Sequence, residues 1–399
     1  MTFRPLRVLS AVLFGYALAA CSQGTQLPRP YAGEPSAGPG IASSQSGYSL
    51  LYKFGYSDGD GPYGNLLFAN GKLYGTTYQG GAVLLGTVFS VTTAGSEKVL
   101  HSFGEGTDGS NPLAGLSMVK GILYGTDSNG GKNFAGTVFR ITTRGKENVL
   151  HVFGSGDDGR APQSPLIYVK GTFYGTTSEG GKYSCRLEGC GVVFSVTPAG
   201  KEKVLHSFGG GTSEALDGYY PYAPLTNVDG TLYSTTSAGG NYSAGVVFSI
   251  TTSGNEKVLY MFGKGSDGRT PLAGLTDING TLYGTTTAGG RYGGGTIFSV
   301  TAAGKEKVLH SFGRGTDGRD PIAGLTDVGG TLYGTTYEGG GHHDGTVYSC
   351  STAGKVEVLY SFNKGNGFPY AGLIEAGGTL YGSTLLGGNG YGTIFSITP

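Results

Sequence analysis

The chain has 399 residues with Lys+Arg and Asp+Glu both at 27, so no net field exists to draw a nucleic acid or an acidic membrane surface. Its 79 Gly, 27 Tyr and 19 Phe, with no Trp, point to many short strands joined by tight turns and away from a helical protein. Only 14% of residues are charged, so Thr, Ser, Asn, Tyr and backbone must make the surface polar, a composition suited to life outside the cytoplasm.

The N-terminus agrees with that setting. Arg4 and Arg7 precede an apolar run from Val8 to Ala20 that is too short for an ordinary membrane span, so residues 1–20 read as an export signal. The run ends in Leu18-Ala19-Ala20-Cys21, which resembles a bacterial lipobox, with Cys21 as the lipidated residue. An ordinary cleaved signal with an incidental Cys is the alternative. Residues 21–47 are rich in Pro, Gly, Ser and Gln and have almost no apolar pattern, the composition of a flexible tether.

From residue 48 onward, repetition dominates. The segment G-[TV]-[VI]-[FY]-[SR] begins at Gly86, Gly136, Gly191, Gly245, Gly295, Gly345 and Gly392, giving seven copies at spacings of 47 to 55 residues. In the unit Pro321 to Phe362, four strand candidates follow one another: Ala323 to Asp327, Thr331 to Thr335, Thr346 to Cys350 and Glu357 to Phe362. Four antiparallel strands in a unit of this length describe a propeller blade, and the absence of a long 3.6-residue apolar period excludes a helical solenoid. The ends complement each other. Tyr48 to Phe54 matches only a fourth strand, and Gly392 to Pro399 only a third. The expectation is therefore an all-β, seven-bladed β-propeller over 48–399, its last blade closed by the N-terminal strand, which removes the exposed edge of an open stack.

The words Leu332-Tyr333-Gly334-Thr335-Thr336, Gly295 to Thr301 and Lys307 to Gly313 resemble the repeat of the GloVer (Gloeo/Verruco) tandem-repeat family of bacterial surface proteins. The resemblance covers nearly the whole mature chain. It implies a propeller-like repeat domain with a variable mode of anchoring, for which a lipobox would serve, and it brings no catalytic residues.

Several residues are candidates for chemistry. His101, His151, His206 and His310 share one strand position with Tyr52, Tyr260 and Tyr360, and because Tyr cannot replace an imidazole in metal or proton chemistry, they read as packing or hydrogen-bonding residues. Asp108, Asp158, Asp267 and Asp317 recur in G-x-G-x-D-G-x-x-P loops, where Asp stabilises a turn; calcium is the minority reading, and no other cofactor is expected. His342-His343-Asp344 reads as a solvated polar loop, since adjacent side chains diverge and no further ligand stands at fixed spacing. Cys185 and Cys190 bracket an insertion and read as a disulfide-closed loop, and Cys350 as a buried thiol. No nucleophile elbow, H-E-x-x-H or phosphate loop occurs.

Loops after second and fourth strands share one face of the disk, and the repeat-breaking residues gather there. Tyr183, Arg186 and Glu188 lie in one such loop, Glu214, Asp217, Tyr219 and Tyr220 in the next linker, and Tyr242 beyond. Tyr rings suit recognition of a glycan, peptide or envelope protein, against the plainer reading that they fill space among glycines. The expectation is a monomeric, non-catalytic binding or scaffold module of the bacterial envelope, touching a membrane only through its lipid and binding no nucleic acid. The alternative is an extracellular polysaccharide-active enzyme, lyase or glycosidase, with its site at the central channel.

Overall fold

The computed structural model describes residues 47–185, 189–210, 216–363 and 367–399, and every regular element among them is a β-strand. The expected signal at 1–20, the Cys21 lipidation site and tether, and Arg186, Glu188 and Glu214 lie outside the described residues.

The chain forms seven four-stranded antiparallel blades in a ring, a β-propeller. Blade 1 runs Leu67–Ala69, Lys72–Thr77, Thr87–Thr92 and Glu97–Ser102 from axis to rim. Blades 2 to 6 repeat it. Blade 7 takes Ile374–Ala376, Thr379–Thr384 and Thr393–Thr398 from the C-terminus and its rim strand, Gly47–Lys53, from the N-terminus. Gly47 lies opposite Thr398, so this strand begins at the face that carries the third-to-fourth-strand turns. The loops between second and third strands crown the opposite face.

Why the repeat words recur is visible at each blade junction. The Phe that follows every rim strand is fully buried and meets the third-strand aromatic of the next blade: Phe103 on Phe139 at 5.1 Å between ring centres, and Phe54 on Phe89 at 5.0 Å. Such pairs add about 0.5–1.5 kcal/mol each beyond their burial. The glycine of L-Y-G-T-T makes room for that ring, since a Cβ on Gly125 would lie 2.5 Å from the Phe139 Cζ. In the next position, Thr76, Thr126, Thr176, Thr235, Thr285 and Thr335 each donate to a carbonyl of the following blade, and Ser383 does the same to Pro62.

The strand bounds expected from the sequence shift in two places. The innermost strand of blade 6 is Thr326–Val328 rather than 323–327, because Ala323 and Leu325 turn inward to pack. Its rim strand is Val356–Ser361, and the pairing slips by one residue between Val347 and Tyr348. The same bulge recurs in all seven blades, at Leu100 in blade 1, and breaks simple alternation.

Candidate functional site

On the crowned face, the linkers between blades pair with the second-to-third-strand loops as short ribbons: Gly109–Ser110 with Asn129–Gly130, Gly268–Arg269 with Ala288–Gly289, and Tyr219 with Ala238. These ribbons hold the loops in fixed positions relative to the blades. They add the rigidity that a recognition surface on loops needs.

The histidines and aspartates singled out in the sequence belong to this framework. His101 Nε2 meets Asp108 Oδ2 at 3.1 Å while Asp108 Oδ1 accepts from the Gly104 N–H at 3.0 Å. His151–Asp158, His206–Asp217 and His310–Asp317 repeat the arrangement, with Tyr260 donating to Asp267 and Tyr52 to Asp58 in the remaining blades described. Each imidazole also stands edge-on to the Phe two residues on, as His101 does to Phe103 at 4.8 Å. Both oxygens of Asp108, Asp158, Asp217 and Asp317 are thus engaged, one by the rim-strand His and one by a backbone N–H of their own loop. The pairing of a strand His with a linker Asp was not apparent in the sequence, although the seven-residue spacing in three of the four pairs is its signature.

Blade 3 and the linker to blade 4 carry the departures. Cys185 and Cys190 form a disulfide. Gly209 packs on its sulfurs, Gly210 packs on the Tyr183 ring, and the Tyr220 hydroxyl donates to the Cys185 carbonyl at 3.1 Å. Tyr219 meets Tyr220 edge-on at 4.9 Å. A cleft of about 440 Å³ opens there, lined by Lys182, Tyr183, His206, Ser207, Gly210 and Asp217. The structure therefore brings Tyr183, Asp217, Tyr219 and Tyr220 together, with Tyr219 and Tyr220 half-buried in the loop framework. Tyr242 lies one blade on, 49% exposed, with its Cβ against Gly263. His342 and His343 lie at the mouth of a separate shallow cleft, and among the described residues no group of three His, Cys, Asp or Glu is placed to hold a metal ion.

One cluster was missed in the sequence. Tyr63, Tyr78, Tyr337, Phe368 and Tyr370 join in edge-to-face and tilted contacts across blades 6, 7 and 1, with Tyr63 and Tyr370 at 5.0 Å. The Pro-Tyr pairs at Pro62-Tyr63 and Pro369-Tyr370 were its signal. Beside it, burial and the nearby Glu338 push the Asp320 carboxyl up to about 6.

The Gloeobacter/Verrucomicrobia repeat profile matches residues 40–187 and 184–395. The chain belongs to that repeat family. No curated protein matches it. Among solved structures, a puromycin hydrolase superposes on this repeat protein at a TM-score of 0.55 with 10% identity, over 86% of this chain and 53% of that one. A gluconolactonase from Xanthomonas campestris gives 0.45 at 12% identity over 90% and 91% of the two chains. A putative 6-phosphogluconolactonase from Bacteroides uniformis gives 0.46 at 15% identity over 74% and 83%. At such identities the hydrolase likeness is one of fold, and this chain spans about half of that hydrolase.

Proposed function

We propose that this repeat protein is a lipid-anchored, extracytoplasmic binding module, non-catalytic, that meets a glycan, peptide or envelope partner with its crowned face. What carries the reading is the contrast between blades. The His–Asp pairs, the groups best able to do chemistry, recur around the ring and are replaced by Tyr–Asp pairs without change of architecture. Catalysis needs a unique constellation, whereas these are joints of the scaffold. The longest departures from the repeat lie on the crown, at the Cys185–Cys190 loop and the Tyr183 cleft. Anchoring through Cys21 fits this arrangement, because Gly47 starts its strand at the face opposite the crown. Glycan-array binding that is abolished by Tyr183→Ala with Tyr242→Ala supports the reading; binding indifferent to both removes the crown from it. Cys21→Ser is expected to move the protein from the membrane to the soluble fraction.

The competing reading, a polysaccharide-active enzyme, draws its support from Asp320, an acid pushed up to about 6 beside the Tyr337 and Tyr370 rings. Chain shortening of a polysaccharide that is lost in Asp320→Asn would favour it.

A further inference from the structure

The sequence Gly-Gly-x-Tyr occurs at the same crown loop of three consecutive blades, placing Tyr183, Tyr242 and Tyr292 in equivalent positions. Tyr242 and Tyr292 are 49% and 39% exposed, so their rings are open to a ligand. Two of the three carry a cation on the ring. The Lys182 ammonium stands 5.5 Å from the centre of the Tyr183 ring. Arg291 and Arg314 approach the Tyr292 ring at 5.6 and 5.8 Å, and Arg314 Nη1 donates to the Tyr292 hydroxyl at 3.4 Å. In the blade between, Tyr242 packs on Gly263, and the exposed Lys264 follows it at the position that Arg314 holds after Gly313.

Among the described residues the ion pairs within 4.0 Å are four His–Asp contacts, so Lys182, Lys264, Arg291 and Arg314 have no carboxylate at that distance. The nearby Asp217, Asp267 and Asp317 are turned inward on their own loops. Two guanidiniums gathered on one ring repel each other, and an anion seated between them converts that repulsion into attraction. The pattern ends on either side of this sector: Val83 and Leu84 occupy the corresponding loop of blade 1, Asn133 the Tyr position of blade 2, and His342 and His343 the loop of blade 6.

We infer that Tyr183, Tyr242 and Tyr292, with Lys182, Lys264, Arg291 and Arg314, form a track across blades 3, 4 and 5 for an anionic polysaccharide. The inference rests on the reading of the crown as a binding face and names the ligand class. The flat Tyr faces stack against the C–H faces of pyranose rings, and the cations meet the acidic substituents. A small anion would need one such unit; a repeat of ring plus cation from blade to blade matches a polymer whose own unit repeats sugar plus charge.

The test uses the full chain with polygalacturonate and the same polymer fully methyl-esterified, which keeps the sugar faces and removes the charge. Affinity electrophoresis is expected to show retardation by the acid polymer at least about ten-fold stronger than by the ester, with weakening as salt rises. Arg291→Gln with Arg314→Gln is expected to weaken the acid polymer by about ten-fold, with melting unchanged because both side chains are exposed. Equal retardation by both polymers, or no effect of the double substitution, overturns the anionic track and leaves the binding-face reading standing. Retardation by neither also overturns it, and the glycan array with the Tyr183 and Tyr242 substitutions then decides the broader reading.

Discussion

The Ser383 hydroxyl donates to the Pro62 carbonyl at 3.1 Å, joining residues 321 apart in sequence and completing the circle of inter-blade hydrogen bonds. Ser383→Ala leaves that buried carbonyl unpaired and is expected to cost about 1 kcal/mol in urea unfolding. Removing residues 47–53 does more. It strips the rim strand from blade 7, exposes the edge of Thr393–Thr398, and uncovers the fully buried Phe395 and Ile397. The expected outcome is aggregation on size exclusion rather than a monomer with a lower melting temperature.

Two glycines of blade 1 separate backbone freedom from blade packing. Gly86 has φ +106°, and a Cβ there would lie 2.6 Å from Pro112 Cδ of the next blade and 2.5 Å from the Thr77 carbonyl. Gly71 has φ +72° with nothing within 4 Å. Gly71→Ala is expected to cost about 1 kcal/mol, the strain of a left-handed alanine. Gly86→Ala adds a steric clash that the ring cannot relax without parting two blades, and its cost is expected to be about 3 kcal/mol or more. Paired denaturation curves check the difference.

Tyr348 stands in blade 6 where Phe89, Phe139, Phe194, Phe248, Phe298 and Phe395 stand in the others. Its hydroxyl is buried against Gly334 without a hydrogen-bond partner. Tyr348→Phe removes an unpaired polar atom and keeps the ring that Phe312 meets at 5.1 Å. A gain of about 1 kcal/mol is expected, seen as a rise in melting temperature.

How much of this was legible depended on whether a feature repeats. The blades and their closure followed from counting G-[TV]-[VI]-[FY] words and from the matching ends at Tyr48 and Gly392, because each word marks a strand with one obligatory neighbour. The bulge at Leu100 and its equivalents escaped, since skipping one residue in a rim strand changes no residue type. The bond from His101 to Asp108 escaped because the strand and linker were read separately. At the candidate site, the insertion announced Cys185, Cys190, Tyr183 and Asp217, but the half-burial of Tyr219 and Tyr220 depends on how two loops fold over a disulfide, which composition does not encode.

Asp127 is the sharpest departure inside a blade. Thr occupies its position in the other six, and Thr77 there donates to the Gln79 carbonyl. Asp127 is fully buried, accepts from the Thr137 hydroxyl at 2.7 Å through Oδ2, and leaves Oδ1 without a partner. Burial drives its carboxyl well above the ordinary range, opposed by the Thr137 bond and reinforced by Asp108 and Glu147. A raised folded pKa means that the neutral acid is what the fold accepts, so this group's contribution is intact below the unfolded carboxylate pKa and is lost as pH rises. Asp127→Thr is therefore expected to stabilise the protein by about 1–3 kcal/mol at neutral pH and by little at pH ~4. A stabilisation of equal size at both pH values would show packing, not ionisation, to be the cause.

The same sign governs a second, larger set. Glu97, Glu147, Glu202, Glu256 and Glu306 begin the rim strands of five consecutive blades, each with Oε1 buried and without a hydrogen-bond partner. Burial pushes all five carboxyls up to about 7, and an Asp of the preceding blade adds to it: Asp58, Asp108, Asp158, Asp217 and Asp267 in turn. His101, His151 and His206 oppose the shift at Glu147, Glu202 and Glu256, and a Tyr260 hydrogen bond opposes it at Glu306. Val356 and Tyr48 fill the position in the last two blades, where no carboxylate stands. Because the folded pKa exceeds the unfolded value, the stability tied to these groups is fully present below the unfolded pKa of about 4.3 and drains away as pH rises through about 7. All five replaced by Gln should remove that part of the pH dependence. Relative to the wild type, the variant is expected to gain melting temperature at pH 8 and to lose that advantage towards pH 5. A constant difference across that range would place the origin of the effect outside the blade junctions.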